Sequence, residues 1–188
     1  HPRGVSRAAA ERMAGRGRSL DSFTQGPNPR GLAAEVVATS DYRDLHAGTN
    51  PGIVNAPAHV SPNVRDIRLA PDSSSRKDLV LAIDMNGRIA WKSNGQVKTG
   101  GSEYVCRSLV KMASTPGYGK VGYVDARYVN TDGTPRIAPD AFKSSQARRL
   151  QEAQVRLRGI PDLDGRASQL IENINASKAD GLDPVARH

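Results

Sequence analysis

The dipeptide Asn86-Gly87 stands between two apolar runs that alternate with polar residues, and no other feature constrains the chain as strongly. Asn-Gly is the preferred pair for a tight hairpin turn, because both central residues of that turn need a positive φ. The run Asp78 to Asp84 and the run Arg88 to about Thr99 therefore read as two paired antiparallel strands. Loop length then sets which side chains share a face.

With a two-residue loop Asp84 faces Ile89, and Leu79, Leu81 and Ile83 share their side with Ala90, Lys92, Asn94 and Gln96. That register sets polar groups among the core residues. With a three-residue loop Met85-Asn86-Gly87, in which Gly87 takes the left-handed position of a bulge, Asp84 faces Arg88 and the faces separate. One side collects Leu79, Leu81, Ile83, Ile89, Trp91 and Val97, and the other collects Asp78, Lys92, Asn94, Gln96 and Lys98. The hydrophobic pattern favours this second register, which puts Asp78 opposite Asn94 and diagonal to Gln96.

Around the hairpin, Leu32 to Leu45 reads as a helix stopped by Gly48, and residues 47–63 as a long irregular connection. Val64 to Leu69 reads as a strand. Gly100-Gly101 breaks the returning strand before a helix that Ser102 caps and that buries Val105, Leu109 and Met112. Val121 to Val124 resumes as a strand, Asn130 to Pro139 is loop, and helices over Ser145 to Leu157 and Arg166 to Ser177 close the chain. The fold class is α/β or α+β, with a central mixed sheet flanked by helices. Three segments follow: a basic tail or linker over 1–30, a core over 31–130, and a C-terminal helical extension over 131–188 packed on that core.

Charge narrows the partners. Lys and Arg number 27 against 19 Asp and Glu, a formal charge of +8 with pI near 10.0, which suits a polyanion. Aromatics make up only 4%, too few for stacking platforms along a single strand, so a grip on phosphates is the expected mode. No apolar run approaches the roughly 18 residues of a membrane span, and the first 30 residues lack the apolar centre of a signal peptide. A soluble chain with a cytoplasmic site of action and no membrane partner is expected. Its start at His1 reads as a fragment of a longer protein.

Several residues carry only bland readings. Cys106, the single cysteine, excludes an internal disulfide and reads as a small core residue. His46 and His59 lack ligand spacing and read as solvated or locally bonded. Gly117-Tyr118-Gly119-Lys120 lacks the residues of a phosphate loop and is a turn, and Asp162 to Gly165 is a helix cap rather than a calcium loop. Arg148, Arg149, Arg156 and Arg158 read as a basic cluster on the penultimate helix, equally a phosphate contact or a solvated face.

The polar face of the hairpin carries chemistry. A carboxylate and an amide or carbonyl oxygen hold a hard cation such as Mg²⁺ or Mn²⁺, the cation polarises a scissile phosphate, and a nearby ammonium stabilises the charge that develops. Asp78, Gln96 and Lys98 supply those parts. Lys92 and Asn94 on the same face, with Arg76 and Lys77 just ahead of Asp78, are the candidate contacts to nucleic acid.

Asp78 followed by Gln96-Val97-Lys98, in a strand ahead of a helix, resembles the restriction-endonuclease-like PD-(D/E)XK nuclease superfamily over about Leu32 to Val124. The resemblance implies a core of helix, three strands, helix and strand. It implies a metal set of Asp78, Gln96, the middle residue Val97 and a first-helix glutamate, here Glu35, with Lys98 in the catalytic role. Lys77 stands where the motif's proline would be, and Gln96 where an acid is commoner. The function implied is a Mg²⁺- or Mn²⁺-dependent endonuclease acting on DNA more readily than RNA. Such a domain belongs in a larger toxin, phage or defence protein, and in a toxin an acidic inhibitor would accompany it. Two other classes stay open: a nucleic-acid-binding or packaging module without cleavage, and, more remotely, a secreted effector with a nucleotide-dependent transferase activity.

Overall fold

The structure, a computed structural model, describes residues 29–57, 64–69 and 79–179. The expected tail lies outside the described residues except for Pro29 and Arg30, which open the first helix.

Helix α1 spans Pro29–His46. Proline suits a first helical position, where its fixed φ is already helical and its missing N–H has no partner to lose. Ala33, Ala34, Val36, Val37 and Ala38 are buried along it, and Gly48 at φ 100 ends the run. Strands β1 (Val64–Leu69), β2 (Leu79–Met85) and β3 (Arg88–Val97) follow as an antiparallel meander. Helix α2 (Ser102–Ala113) leads to β4 (Val121–Asp125), and helix α3 (Ser144–Glu152) leads to β5 (Arg156–Ile160). Helix α4 (Leu163–Ala179) closes the described chain. The sheet order is β1-β2-β3-β4-β5, antiparallel through β3 and parallel from β3 to β5.

Helices cover both faces. On one, α1 and α4 enclose a core in which Val97, Tyr123 and Ile160 of the sheet meet Val37, Tyr42, Leu163 and Ala167. The rings of Tyr42 and Tyr123 meet edge to face at 6.1 Å there. On the other, α2 and α3 join Val124 and Leu157 to Leu109, Met112, Phe142 and Leu150. Cys106 is fully buried in this second core, where burial also holds its thiol pKa up.

The hairpin departs from the expected register. Asn86 at φ 54 and Gly87 at φ 87 form a two-residue turn, Met85 pairs with Arg88, and Asp84 pairs with Ile89 rather than Arg88. Turn chemistry wins over the hydrophobic partition because Asn-Gly accommodates two left-handed residues in succession. The extra residue lies at the far end instead. Val80 pairs with Ser93 but Leu79 with Gly95, so Asn94 is the bulged residue. The bulge shifts the alternation by one, so Val97 still turns into the α1 core while Gln96 and Lys98 take the opposite side.

Two further expectations change. The penultimate helix stops at Glu152 rather than continuing to Leu157, because Gln154 is left-handed at φ 59 and Arg156 to Ile160 pair in parallel with β4. Arg156 and Arg158 are thus strand residues, whereas Arg148 and Arg149 are helical. Ser102 begins α2 without capping it; Gly101 is the cap residue and offers no side-chain bond.

Gly95 has φ 126, and a Cβ there would lie 2.8 Å from the Val121 carbonyl oxygen. Gly87 also has positive φ but has open space around it. In urea unfolding, Gly87→Ala is expected to cost about 1–2 kcal/mol, the left-handed penalty alone. Gly95→Ala should cost clearly more, about 2–4 kcal/mol, since main-chain atoms of β4 must also move.

Candidate functional site

Gln96, Val97 and Lys98 sit where β3 ends its short parallel ladder with β4. Gln96 pairs with Gly122 and Val97 with Tyr123, and the Lys98 N–H donates to the Tyr123 carbonyl at 2.9 Å. A Cβ on Gly122 would meet Leu109 of α2, so Gln96, its ladder partner, faces the α2 layer. Gln96 is only 5% exposed, and Lys98 is half-buried at the strand's end. Val97 points the other way, into the core with Tyr123, so its side chain takes no part in a polar site.

The structure thus brings Gln96 and Lys98 to one side of the sheet. It does not bring Glu35 with them. Glu35 is half-buried on α1, the helix packed on the face that carries Val97 and Tyr123, so it starts from the opposite side. The first helix lies across that face because its alanine and valine stripe needs the Val97–Tyr123 surface to bury it. Asp78, Arg76 and Lys77 lie outside the described residues, as does His59. Lys92 pairs with Leu81, and Asn94 is the bulged residue; only their backbone is described. Asp84 lies at the turn end of the hairpin, where it pairs with Ile89. Among the described residues, no three of His, Cys, Asp and Glu gather in a way that could hold a metal ion. His46 bonds the Val64 carbonyl through Nε2 at 2.9 Å, a local tie between α1 and β1.

A polar constellation that sequence reading missed lies at the carboxyl ends of β3, β4 and β5. Arg127, in the 3₁₀ turn Ala126–Tyr128, donates from Nη1 to Asp164 Oδ2 at 2.6 Å and lies 3.1 Å from Asp125 Oδ2. Its Nε donates to the Asp140 carbonyl and its Nη2 to the Gly100 carbonyl. The Tyr128 hydroxyl also donates to Gly100 O, at 2.6 Å, and Asp125 Oδ2 accepts from the Asp164 N–H at 3.0 Å. One guanidinium thereby ties the exit of β3, the end of β4, the following loop and the start of α4. Sequence marked Asp164 only as part of a helix cap, and nothing local links it to Arg127 across 37 residues.

Burial holds the Asp164 carboxyl above the usual aspartate range, against the pull of the Arg127 hydrogen bond, and the nearby Asp125 adds to the rise. Burial also works against the Arg127 charge, but the bond to Asp164 overrules it and the guanidinium stays firmly protonated. Every lone donor of this hub is spoken for, so it braces the end of the sheet rather than offering an open ligand set.

Comparison of the chain with protein-family models, with curated proteins and with solved structures finds no match in any of the three.

The raised carboxyl gives a pH signature. A carboxyl whose folded pKa exceeds its unfolded value contributes stability below the unfolded value and loses it as pH rises through the folded one. The stability of the native chain relative to Asp164→Asn should therefore fall as pH rises through the carboxyl range, read as paired urea midpoints at stepped pH. A difference that grows with pH instead would mean that the ion pair outweighs burial at this site.

Proposed function

We propose that the chain is a metal-dependent nuclease hydrolysing phosphodiester bonds, in DNA more readily than RNA, on a restriction-endonuclease-like core. The observation that carries the reading is the arrangement around β3. A helix, an antiparallel three-strand meander, a second helix and a parallel strand follow in that order, and Gln96 and Lys98 emerge together on one face at the end of the third strand. This is the element order that the resemblance implies. The formal charge of +8 supports a phosphate-rich substrate.

Asp78 and the Gln96 amide oxygen would hold the cation. An all-oxygen donor pair suits Mg²⁺ or Mn²⁺ rather than zinc. When bound, the cation supplies Lewis-acid polarisation of the scissile phosphate. Lys98 places an ammonium beside the phosphate oxygens on which charge develops, where a fixed donor counts most because water is partly excluded. Backbone pairing of Lys98 with Tyr123 fixes where that side chain starts. Glu35 takes no role in this reading, because its helix packs on the face that carries Val97 and Tyr123.

The test is supercoiled plasmid incubated with the purified chain and Mg²⁺ or Mn²⁺. Nicking or linearisation is expected, with EDTA stopping it. Lys98→Ala should lower the cleavage rate by about 10²-fold or more while DNA affinity changes little. Glu35→Gln should cleave within a few-fold of the native chain; a loss as deep as that of Lys98→Ala would return the helix glutamate to the site. If native chain and Lys98→Ala both bind DNA and neither cuts, the binding or packaging module replaces the enzyme.

A further inference from the structure

Helices α2 and α3 lie side by side on one face of the sheet. Gln146 Nε2 donates to Glu103 Oε2 at 3.1 Å, and the Cys106 thiol donates to the Gln146 carbonyl at 3.6 Å. Each helix connects two neighbouring parallel strands, so the two run in the same sense and turn their outer surfaces to the same side. Arg107 and Lys111 are exposed on α2, one helical turn apart, and Arg148 and Arg149 are exposed on α3. At the foot of the two helices Lys120 and Arg156 are exposed as well, held together by the Arg156 N–H on the Lys120 carbonyl at 2.7 Å. The acids on these two helices are Glu103, engaged by Gln146, and Glu152.

Lys120 is engaged, its Nζ donating to Gln154 Oε1 at 3.1 Å, but the four cations on the helices themselves have no such internal use. Among the described residues, Arg127, Arg136 and Arg166 bond carboxylates, and Arg43 and Arg158 bond main-chain carbonyls. The side chains of Arg107, Lys111, Arg148 and Arg149 make no hydrogen bond or ion pair among the described residues. A favourable interaction with the helix dipole accounts for Lys111 and Arg149, which lie in last turns, but not for Arg107 or Arg148. Packed helices stand about 8–10 Å apart. That is within the Debye length of about 10 Å at 0.1 M salt, so the two rows repel each other unless a polyanion lies across them.

We infer that the outer face of α2 and α3 is the surface on which the phosphate backbone of a nucleic acid docks. The inference rests on the nucleic-acid half of the proposed function and not on cleavage. Phosphate contacts carry position and affinity rather than sequence, so this face would bind duplexes with little regard to base order.

The experiment is fluorescence anisotropy of a short labelled DNA duplex with the intact chain in EDTA, across roughly 50 to 200 mM salt. Each phosphate contact contributes about 0.9 to the slope of log affinity against log salt. The triple variant Arg107→Gln, Arg148→Gln, Arg149→Gln should flatten that slope by about 2–3, whatever the duplex sequence. The double variant Arg30→Gln, Arg88→Gln, exposed on other elements, should leave it near the native value. The inference falls if the triple variant keeps the native slope, if the double variant flattens it as much, or if the native chain binds anionic vesicles or an acidic protein but no DNA. Cleavage is measured separately with Mg²⁺: binding through this face without cutting overturns the nuclease reading and leaves this surface standing, whereas cutting with an unchanged slope in the triple variant does the reverse.

Discussion

The bulge at Asn94 and the close approach of Gly95 to β4 decide how the sheet is assembled. Upstream of it β3 is half of a hairpin; downstream it is the first strand of a parallel ladder with β4. The hairpin ladder slips by one residue just before the parallel ladder begins, since Val80 pairs with Ser93 but Leu79 with Gly95. One unpaired residue takes up the slip, and a residue without Cβ lets the β3 backbone pass next to the Val121 carbonyl. Val97 then enters the α1 core and Gln96 with Lys98 leaves it. The core and the candidate site thus have one common cause.

Two arginines brace what the bulge sets up. Arg166 of α4 makes a bidentate pair with the buried Asp41 of α1, both bonds at 2.8 Å, which fixes the relation of the two helices on one face. Arg127 does the corresponding task at the carboxyl end of the sheet, where β3, β4 and α4 converge. Partly buried charges of this kind add little net stability over apolar packing, but removing one partner strands the other. Their value is registry. They leave few alternative ways to seat the helices on the sheet.

The surface divides along the same lines. Arginines that face the interior or the sheet's carboxyl end are consumed by carboxylates and carbonyls, while those on the outer face of α2 and α3 are not. Among the described residues, the cluster Arg107, Lys111, Arg148 and Arg149 lies on the side of the sheet that also carries Gln96 and Lys98. Under the proposed function, binding surface and reacting groups would share one side of the sheet, as holding a phosphate chain while one bond in it is attacked requires.

By itself the sequence determined the hairpin, the helix before it, the strand–helix–strand unit after it and such core residues as Val97, Val105, Cys106, Leu109 and Met112, because Asn-Gly, the glycine pair and the apolar periodicities are local signals. It also carried the opposition of Val97 to Gln96 and Lys98, since two-residue alternation needs no partner to be read. Only the tertiary structure decided the rest. The bulge moved from the turn to Asn94 because its location depends on β4, a strand 27 residues further on, and Arg156–Ile160 became a strand because β4 offered an edge to pair with. The face on which α1 packs stayed open because helix position in a sequence fixes no face of a sheet, and the Arg127 hub stayed invisible because charges distant in the chain meet only once the fold has closed.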